Sequence, residues 1–197
     1  MALTKFEIAS ASLVLVGANP VSSFSATGST EEKSCFYLWQ SCVDYYLSLH
    51  PWRFATRTEQ MSRVATPPST KWQAAYVQPV GMKAMQAIQL NKTGNDIDFD
   101  RFENLILCNA TETDQVFCVH TYEPPIAWWP GYFVHLMEIG FAIKLSFPLS
   151  AKLDLKDNLE KEADIALRLG KNRDSVQQTT RKFKTAGRRS ILEARRA

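Results

Sequence analysis

The chain has 197 residues, of which 45% are hydrophobic and 11% are aromatic. This length suits one domain with a small appendage, and the apolar content excludes an intrinsically disordered chain. The net charge of +3 is unevenly placed, because residues 181–197 hold seven basic side chains and one acidic side chain, a net +6 that leaves −3 for the rest. A basic tail on an acidic body indicates either a negatively charged partner or a solvated terminus.

Hydrophobic periodicity predicts a first helix over residues 3–16 and a second that begins at a Ser29 or Thr30 cap and ends near Leu49. The apolar stripe of the second helix is broad enough to pack on two neighbours. Its members are Cys35, Leu38, Trp39, Cys42, Tyr45, Tyr46 and Leu49.

The helical pattern returns after Pro130, with a third helix that Pro148 should end and a fourth helix from about Ser150 to residue 183. We expect one apolar face on each. The face of helix three comprises Phe133, Leu136, Met137, Gly140, Ile143 and Phe147. The face of helix four comprises Leu155, Leu159, Ala163, Ala166 and Leu169.

Residues 66–125 contain five prolines and short β-type segments, so they predict strands and turns between the helices. We predict that residues 102–107 and 115–122 form a hairpin joined by the polar residues 109–114.

The predicted fold is therefore α+β and mainly α. It is a bundle of about four helices with an inserted small antiparallel β-sheet or hairpin domain and an extended C-terminal tail. The predicted regions are the N-terminal helices (1–65), the β insertion (66–128), the C-terminal helices (129–183) and the basic extension (184–197).

The four cysteines are Cys35, Cys42, Cys108 and Cys118. The first two are too far apart on the predicted helix for a disulfide, at about 10.5 Å along its axis. The last two could face each other across paired strands. No spacing suggests a metal site, and we expect four buried, reduced thiols.

Neither a membrane span nor a signal peptide is expected, because the apolar segment at residues 7–18 is short and lacks a basic region and a usable cleavage site.

No catalytic residue, metal or cofactor is predicted. His50, His120 and His135 lack the spacing of metal ligands or a catalytic dyad, and we expect structural histidines. The triplet Asp96, Asp98 and Asp100 lacks the glycine and glutamate of a calcium loop, so it indicates a turn that enters a strand. Glu160 and Asp164 could pair as glycosidase carboxylates, but a charged helix face favours solvated side chains.

The segment His50-Pro51-Trp52-Arg53-Phe54-Ala55 stands where helix two must end. Proline disfavours helix in the residue before it and cannot continue one itself. Two large aromatic side chains follow without a reactive group, so the segment indicates an architectural corner.

The basic tail could bind nucleic-acid phosphates, but it has one aromatic residue for base stacking. Two apolar residues between basic clusters suit docking into an acidic-rimmed protein groove equally well. The candidate binding residues are Arg181, Lys182, Phe183, Lys184, Arg188, Arg189, Ile191, Leu192, Arg195 and Arg196.

Taken in order, these features resemble the head-to-tail adaptor proteins of short-tailed bacteriophages, the tail tubular protein A family. The resemblance spans residues 3–185, and Val80-Gly81 stand where members commonly have an acidic residue after the proline. The motif residues that carry it are His50, Pro51, Trp52, Phe54, Trp72, Tyr76, Pro79, Trp129 and Pro130, together with the segment 16–24 and Pro67-Pro68.

The resemblance implies a non-enzymatic virion protein at the head–tail interface, assembled in the host cytoplasm as a twelve-fold ring. Its implied partners are other copies of the chain, the portal protein, a tail nozzle protein like tail tubular protein B and, as further candidates, tail fibres. Genomic DNA would pass through the ring during ejection without sequence-specific binding, and the basic tail would reach the portal.

Two other functions stay open. The first is a nucleic-acid-binding packaging accessory that acts through the basic tail. The second is a cell-wall hydrolase, which needs a cleft with a carboxylate of raised pKa. No sequence feature points to such a carboxylate.

Overall fold

The computed structural model describes residues 3–65, 71–91, 95–149 and 153–177. In this part of the chain, four α-helices and two small antiparallel sheets confirm the predicted α+β, mainly α class. The helices are α1 (Lys5–Leu15), α2 (Thr30–Ser48), α3 (Gly131–Leu149) and α4 (Leu153–Val176). The strands are β1 (Thr56–Gln60), β2 (Ala74–Val77), β3 (Ala84–Leu90), β4 (Asn95–Asp96), β5 (Phe99–Phe102), β6 (Leu105–Cys108) and β7 (Val116–Thr121).

Local signals set the predicted start of α2 and end of α1. Ser29 caps α2 in a capping box with Glu32, and an equivalent box at Thr4 begins α1. Gly17 follows α1 with φ of +76°, the left-handed conformation that glycine adopts without strain. Pro148 was predicted to end α3 but lies inside its last turn, and the helix continues to Leu149.

Helix α3 is the centre of the bundle, because α1, α2 and α4 all pack against it. The prediction of one apolar face on this helix is wrong, since its buried residues face several directions and Phe147 is 81% exposed. On α4, Leu169 was also predicted to be buried and is 55% exposed. Helix α3 is long and apolar enough to cross a membrane by length and composition alone. Half of it is buried inside the protein, as in a core helix.

Gly140 of α3 permits a close approach by α2. A Cβ at this position would lie 2.2 Å from the ring of Tyr46, far inside van der Waals contact. Glycine therefore lets the aromatic ring pack directly on the α3 backbone.

We expect Gly140→Ala to lower the free energy of unfolding by about 1–3 kcal/mol, because the new methyl group must displace a packed ring. Urea denaturation measures this change. Gly131→Ala is the matched control, since a Cβ there meets nothing within 4 Å. Equal effects of the two substitutions would contradict the close packing.

The strands form two antiparallel sheets, in the orders β1-β7-β3-β4 and β2-β6-β5. Strand β1 begins at Thr56, so the β region starts ten residues before the predicted boundary at 66. A second hydrophobic core holds the sheets together. It contains Met61, Ala74, Tyr76, Ile88, Ile106, Cys108, Ala110, Val116 and Cys118.

The predicted hairpin between residues 102–107 and 115–122 is wrong. Strand β6 pairs with β2 and β5, whereas β7 pairs with β1 and β3. Both strands are largely buried, and each takes an inner position in its own sheet. In the loop that connects β6 to β7, Asp114 accepts hydrogen bonds from Thr111 and Asn91.

The four cysteines are free and buried, as predicted for the thiols. Cys108 and Cys118 lie in different sheets, so they do not face each other across paired strands. Burial raises the pKa of Cys35 to about 11 and that of Cys42 to about 12, which keeps both as neutral thiols.

A charged cluster joins the bundle to the β region. Lys83, just before β3, lies 2.6 Å from the carboxylate of Asp44 on α2 and 3.3 Å from that of Glu123. Gln40 of α2 donates hydrogen bonds to both carboxylates. This shared network stabilises the contact between the two regions.

Candidate functional site: the His-Pro-Trp corner

The segment of residues 50–55 connects the end of α2 to β1. We call this segment, together with the side chains packed on it, the corner. Helix α2 ends at Ser48, and the backbone N–H of Trp52 then donates to the carbonyl of His50 at 2.8 Å. Pro51 cannot continue the helix. The predicted helix end and aromatic turn are confirmed.

Trp52 is the centre of this corner and is fully buried. Its Nε1–H donates to the carbonyl of Tyr46 at 2.8 Å, so its polar atom is satisfied. Its ring stacks near Tyr132 at a centroid distance of 6.2 Å and meets Phe133 edge to face at 5.2 Å. Phe54 also packs on Phe133, at 4.8 Å. The aromatic residues of the corner therefore attach it to the start of α3.

Asp174, near the end of α4, is the hydrogen-bond acceptor of the corner. Its side chain is fully buried. It accepts the backbone N–H of Arg53 at 3.0 and 3.1 Å and the hydroxyl of Tyr132 at 2.8 Å, and the Nε2 of His50 lies 3.3 Å away. One carboxylate thus joins three parts of the fold: α4, α3 and the corner.

The sequence reasoning missed Asp174. Its position was a signal for burial, because Asp174 falls on the same helical face as Ala163, Ala166 and Gly170. The charged composition of α4 hid this signal, since an aspartate there resembles its solvated neighbours.

The electrostatics of the corner follow from burial. Desolvation lowers the pKa of His50 although the adjacent Asp174 opposes this shift. Desolvation also raises the pKa of Tyr132, and its hydrogen bond to Asp174 adds to the rise. Both shifts favour the uncharged forms of His50 and Tyr132 beside Asp174.

Trp129 and Pro130 directly precede α3, and Trp129 joins the same aromatic group. Trp129 donates from Nε1 to the carbonyl of Pro124 at 3.1 Å and meets Phe133 at 5.1 Å. The carbonyl of Pro130 accepts the N–H groups of Phe133 and Val134 at the start of α3. These two residues direct the chain into α3.

The remaining motif residues do not reach the corner. Tyr76 is buried within the β core, Trp72 precedes β2 with Lys71 over its ring, and Pro79 is buried just after β2. The motif thus separates into a bundle group and a β group.

The predicted tail residues lie outside the described part of the chain. They are Arg181, Lys182, Phe183, Lys184, Arg188, Arg189, Ile191, Leu192, Arg195 and Arg196. The same holds for Pro67, Pro68 and the predicted extension of helix four to residue 183.

The aspartate triplet and the Glu160–Asp164 pair lie in different parts of the fold. Asp96 belongs to β4 and Asp100 to β5, so the triplet does enter a strand. Glu160 lies 3.4 Å from Lys156 on the exposed side of α4. Within the described ranges, no three His, Cys, Asp or Glu side chains are grouped as metal ligands would be.

His120 is buried in β7, where its Nε2 accepts from Nε of Arg57 at 3.3 Å. Burial is the main cause of its lowered pKa, and the Arg57 charge acts in the same direction. His135 differs, with a side chain that is 59% exposed.

Because the folded pKa values of His50 and His120 lie below the unfolded value of about 6.5, the unfolded chain binds more protons as the pH falls. We expect the free energy of unfolding to fall below about pH 6.5, by at most about 1.4 kcal/mol per pH unit for each histidine. Urea denaturation across pH 5–8 measures this slope. His120→Gln should reduce the slope and His135→Gln should not; identical slopes for both would contradict the assignment.

Comparison with protein-family models and with curated proteins found no match to this chain.

Proposed function

We propose that this chain is a structural virion protein, a head-to-tail adaptor whose ring joins the portal to the tail nozzle and continues the DNA channel. The proposal starts from the resemblance carried by His50-Pro51-Trp52-Arg53-Phe54-Ala55. A connector must transmit load between two assemblies, which requires rigid joints between its elements.

The corner is the observation that carries this proposal. Trp52 is enclosed by aromatic rings, and the buried Asp174 is held by donors from the corner and from α3. These side chains are engaged with one another, an arrangement that supports a mechanical role for the motif over a catalytic one.

Exposed apolar side chains also support assembly. Phe36 and Tyr37 on α2, Ile165 and Leu169 on α4 and Trp128 before α3 are 49–67% exposed. Clusters of such residues are typical of surfaces that bind other proteins. A ring subunit would bury them against its neighbours.

The experiment is native mass spectrometry or cryo-EM of the purified chain, alone and mixed with candidate portal rings. We expect a ring of about twelve copies seated on the portal, with a closed heterologous interface. A monomer that ignores portal rings would contradict the proposal.

A second candidate function, nucleic-acid binding, is favoured by the net +6 of residues 181–197. Truncation after residue 180 separates the two functions. For a connector, truncation abolishes portal docking, and DNA affinity is negligible with or without the tail. For a packaging accessory, truncation removes a DNA affinity that falls steeply with salt.

A further inference from the structure

A groove of about 390 Å³ lies between the start of α3 and the outer side of α4, and none of the residues that the structure describes fills it. Tyr132 and His135 line one wall, Ala166 and Gly170 lie on the α4 side, and Ile165 and Leu169 form its open edge. The last two are 52% and 55% exposed, so the groove presents apolar surface to solvent.

The charges around this groove have a definite order along α4. Glu162 and Arg173 both line it and are separated by 11 residues. Eleven residues make slightly more than three whole turns, so both side chains project to one side, about 16.5 Å apart. The groove therefore has an acidic end, an apolar middle and a basic end.

Helix α2 carries the complementary order on its exposed side. Lys33 and Asp44 are also 11 residues apart. Between them lie Phe36 and Tyr37, 49% and 67% exposed, whose rings meet edge to face at 5.1 Å. Asp44 keeps 45% of its side-chain surface exposed although it contacts Lys83.

We propose that α2 of one copy of this chain docks along the α3–α4 groove of a second copy. With the two helices side by side in the same direction, Lys33 faces Glu162 and Asp44 faces Arg173. The same register sets Phe36 and Tyr37 against Ile165. The equal spacing of opposite charges argues for a second copy of this chain as the occupant.

The contact is heterologous, because the two surfaces that meet are different. Each copy keeps a free α2 on one side and a free groove on the other, so contacts of this type propagate into a ring or a filament. The inference deepens the proposed connector function by naming the surfaces of self-association.

Charge reversal is the first test, read by the oligomer distribution in native mass spectrometry and sedimentation. Lys33→Glu and Glu162→Lys should each weaken self-association about tenfold at low salt, because each places like charges face to face. The double variant should regain most of the loss. Two single losses that add in the double variant would overturn the pairing.

The apolar part of the contact has its own matched pair of variants. Leu169→Asp should abolish self-association, whereas Val80→Asp, at a side chain that is 90% exposed in the β region, should leave it unchanged. Both residues lie mostly in solvent, so both variants should keep the circular dichroism and melting temperature of the parent chain. Self-association that survives Leu169→Asp would overturn the proposal.

Cross-linking tests the register and the identity of the occupant. Mixed Tyr37→Cys and Ile165→Cys proteins should form a disulfide-linked dimer under mild oxidation, and the native cysteines are buried. Each variant alone should stay unlinked. Linkage of Ile165→Cys to itself would instead indicate that two grooves face each other, which overturns the proposal.

The outcome also separates this inference from the connector function. If the Leu169→Asp variant still forms rings that bind the portal, the proposed interface is wrong and the connector function stands. If self-association follows the charge-reversal test but the chain does not bind the portal, the proposed interface stands and the connector function is wrong.

Discussion

Replacing Trp52 by alanine should lower the free energy of unfolding by about 3–5 kcal/mol, the range for removing a large buried aromatic side chain. Trp52 is fully buried, and its loss opens a cavity bordered by Tyr132 and Phe133. It also leaves the carbonyl of Tyr46 without the indole hydrogen bond. Urea denaturation followed by circular dichroism measures the change.

The matched control is Trp128→Ala, since Trp128 is 66% exposed and its removal opens no cavity. That substitution should change stability by less than about 0.5 kcal/mol. Trp52→Phe should lie between the two, because it keeps most of the ring contacts and loses the hydrogen bond. Equal effects of Trp52→Ala and Trp128→Ala would show that the corner does not hold the bundle together.

The second large effect is expected for Asp174→Ala, at about 3–5 kcal/mol of unfolding free energy. Removing the carboxylate leaves the N–H of Arg53 and the hydroxyl of Tyr132 buried without their acceptor, and unmade buried hydrogen bonds are costly. Amide hydrogen exchange provides a local readout, because the Arg53 amide should lose its protection.

Asp164→Ala serves as the control on the same helix, where the side chain is exposed and should contribute less than about 0.5 kcal/mol. Tyr132→Phe in the Asp174→Ala background should cost less than in the parent chain, since the hydroxyl has already lost its acceptor. Additive effects of these two substitutions would argue against the shared hydrogen bond.

The helix ends were predictable because they depend on residues close in sequence. Ser29 caps α2 through an N–H three residues ahead, and Pro51 acts on the residue before it. Thiol burial was predictable for a similar reason, since cysteine is apolar enough to join a hydrophobic stripe.

The strand pairing was not predictable from the same rules. Residues 102–107 and 115–122 satisfy the pattern of a hairpin, yet β6 and β7 belong to different sheets. Two buried strands that follow each other can pair together or each pair with more distant strands. Contacts with β2 in one sheet and with β1 and β3 in the other decide the outcome.

By itself, the sequence determined the α+β class, most of the helix bounds and the corner at Pro51, because caps, prolines and periodicity act within a few residues. Only the tertiary structure decided which strands pair, why α3 is buried on several sides and what Asp174 does. The hydrogen bond from Arg53 to Asp174 spans 121 residues of sequence. A carboxylate becomes a structural acceptor only when folding removes it from water and surrounds it with donors.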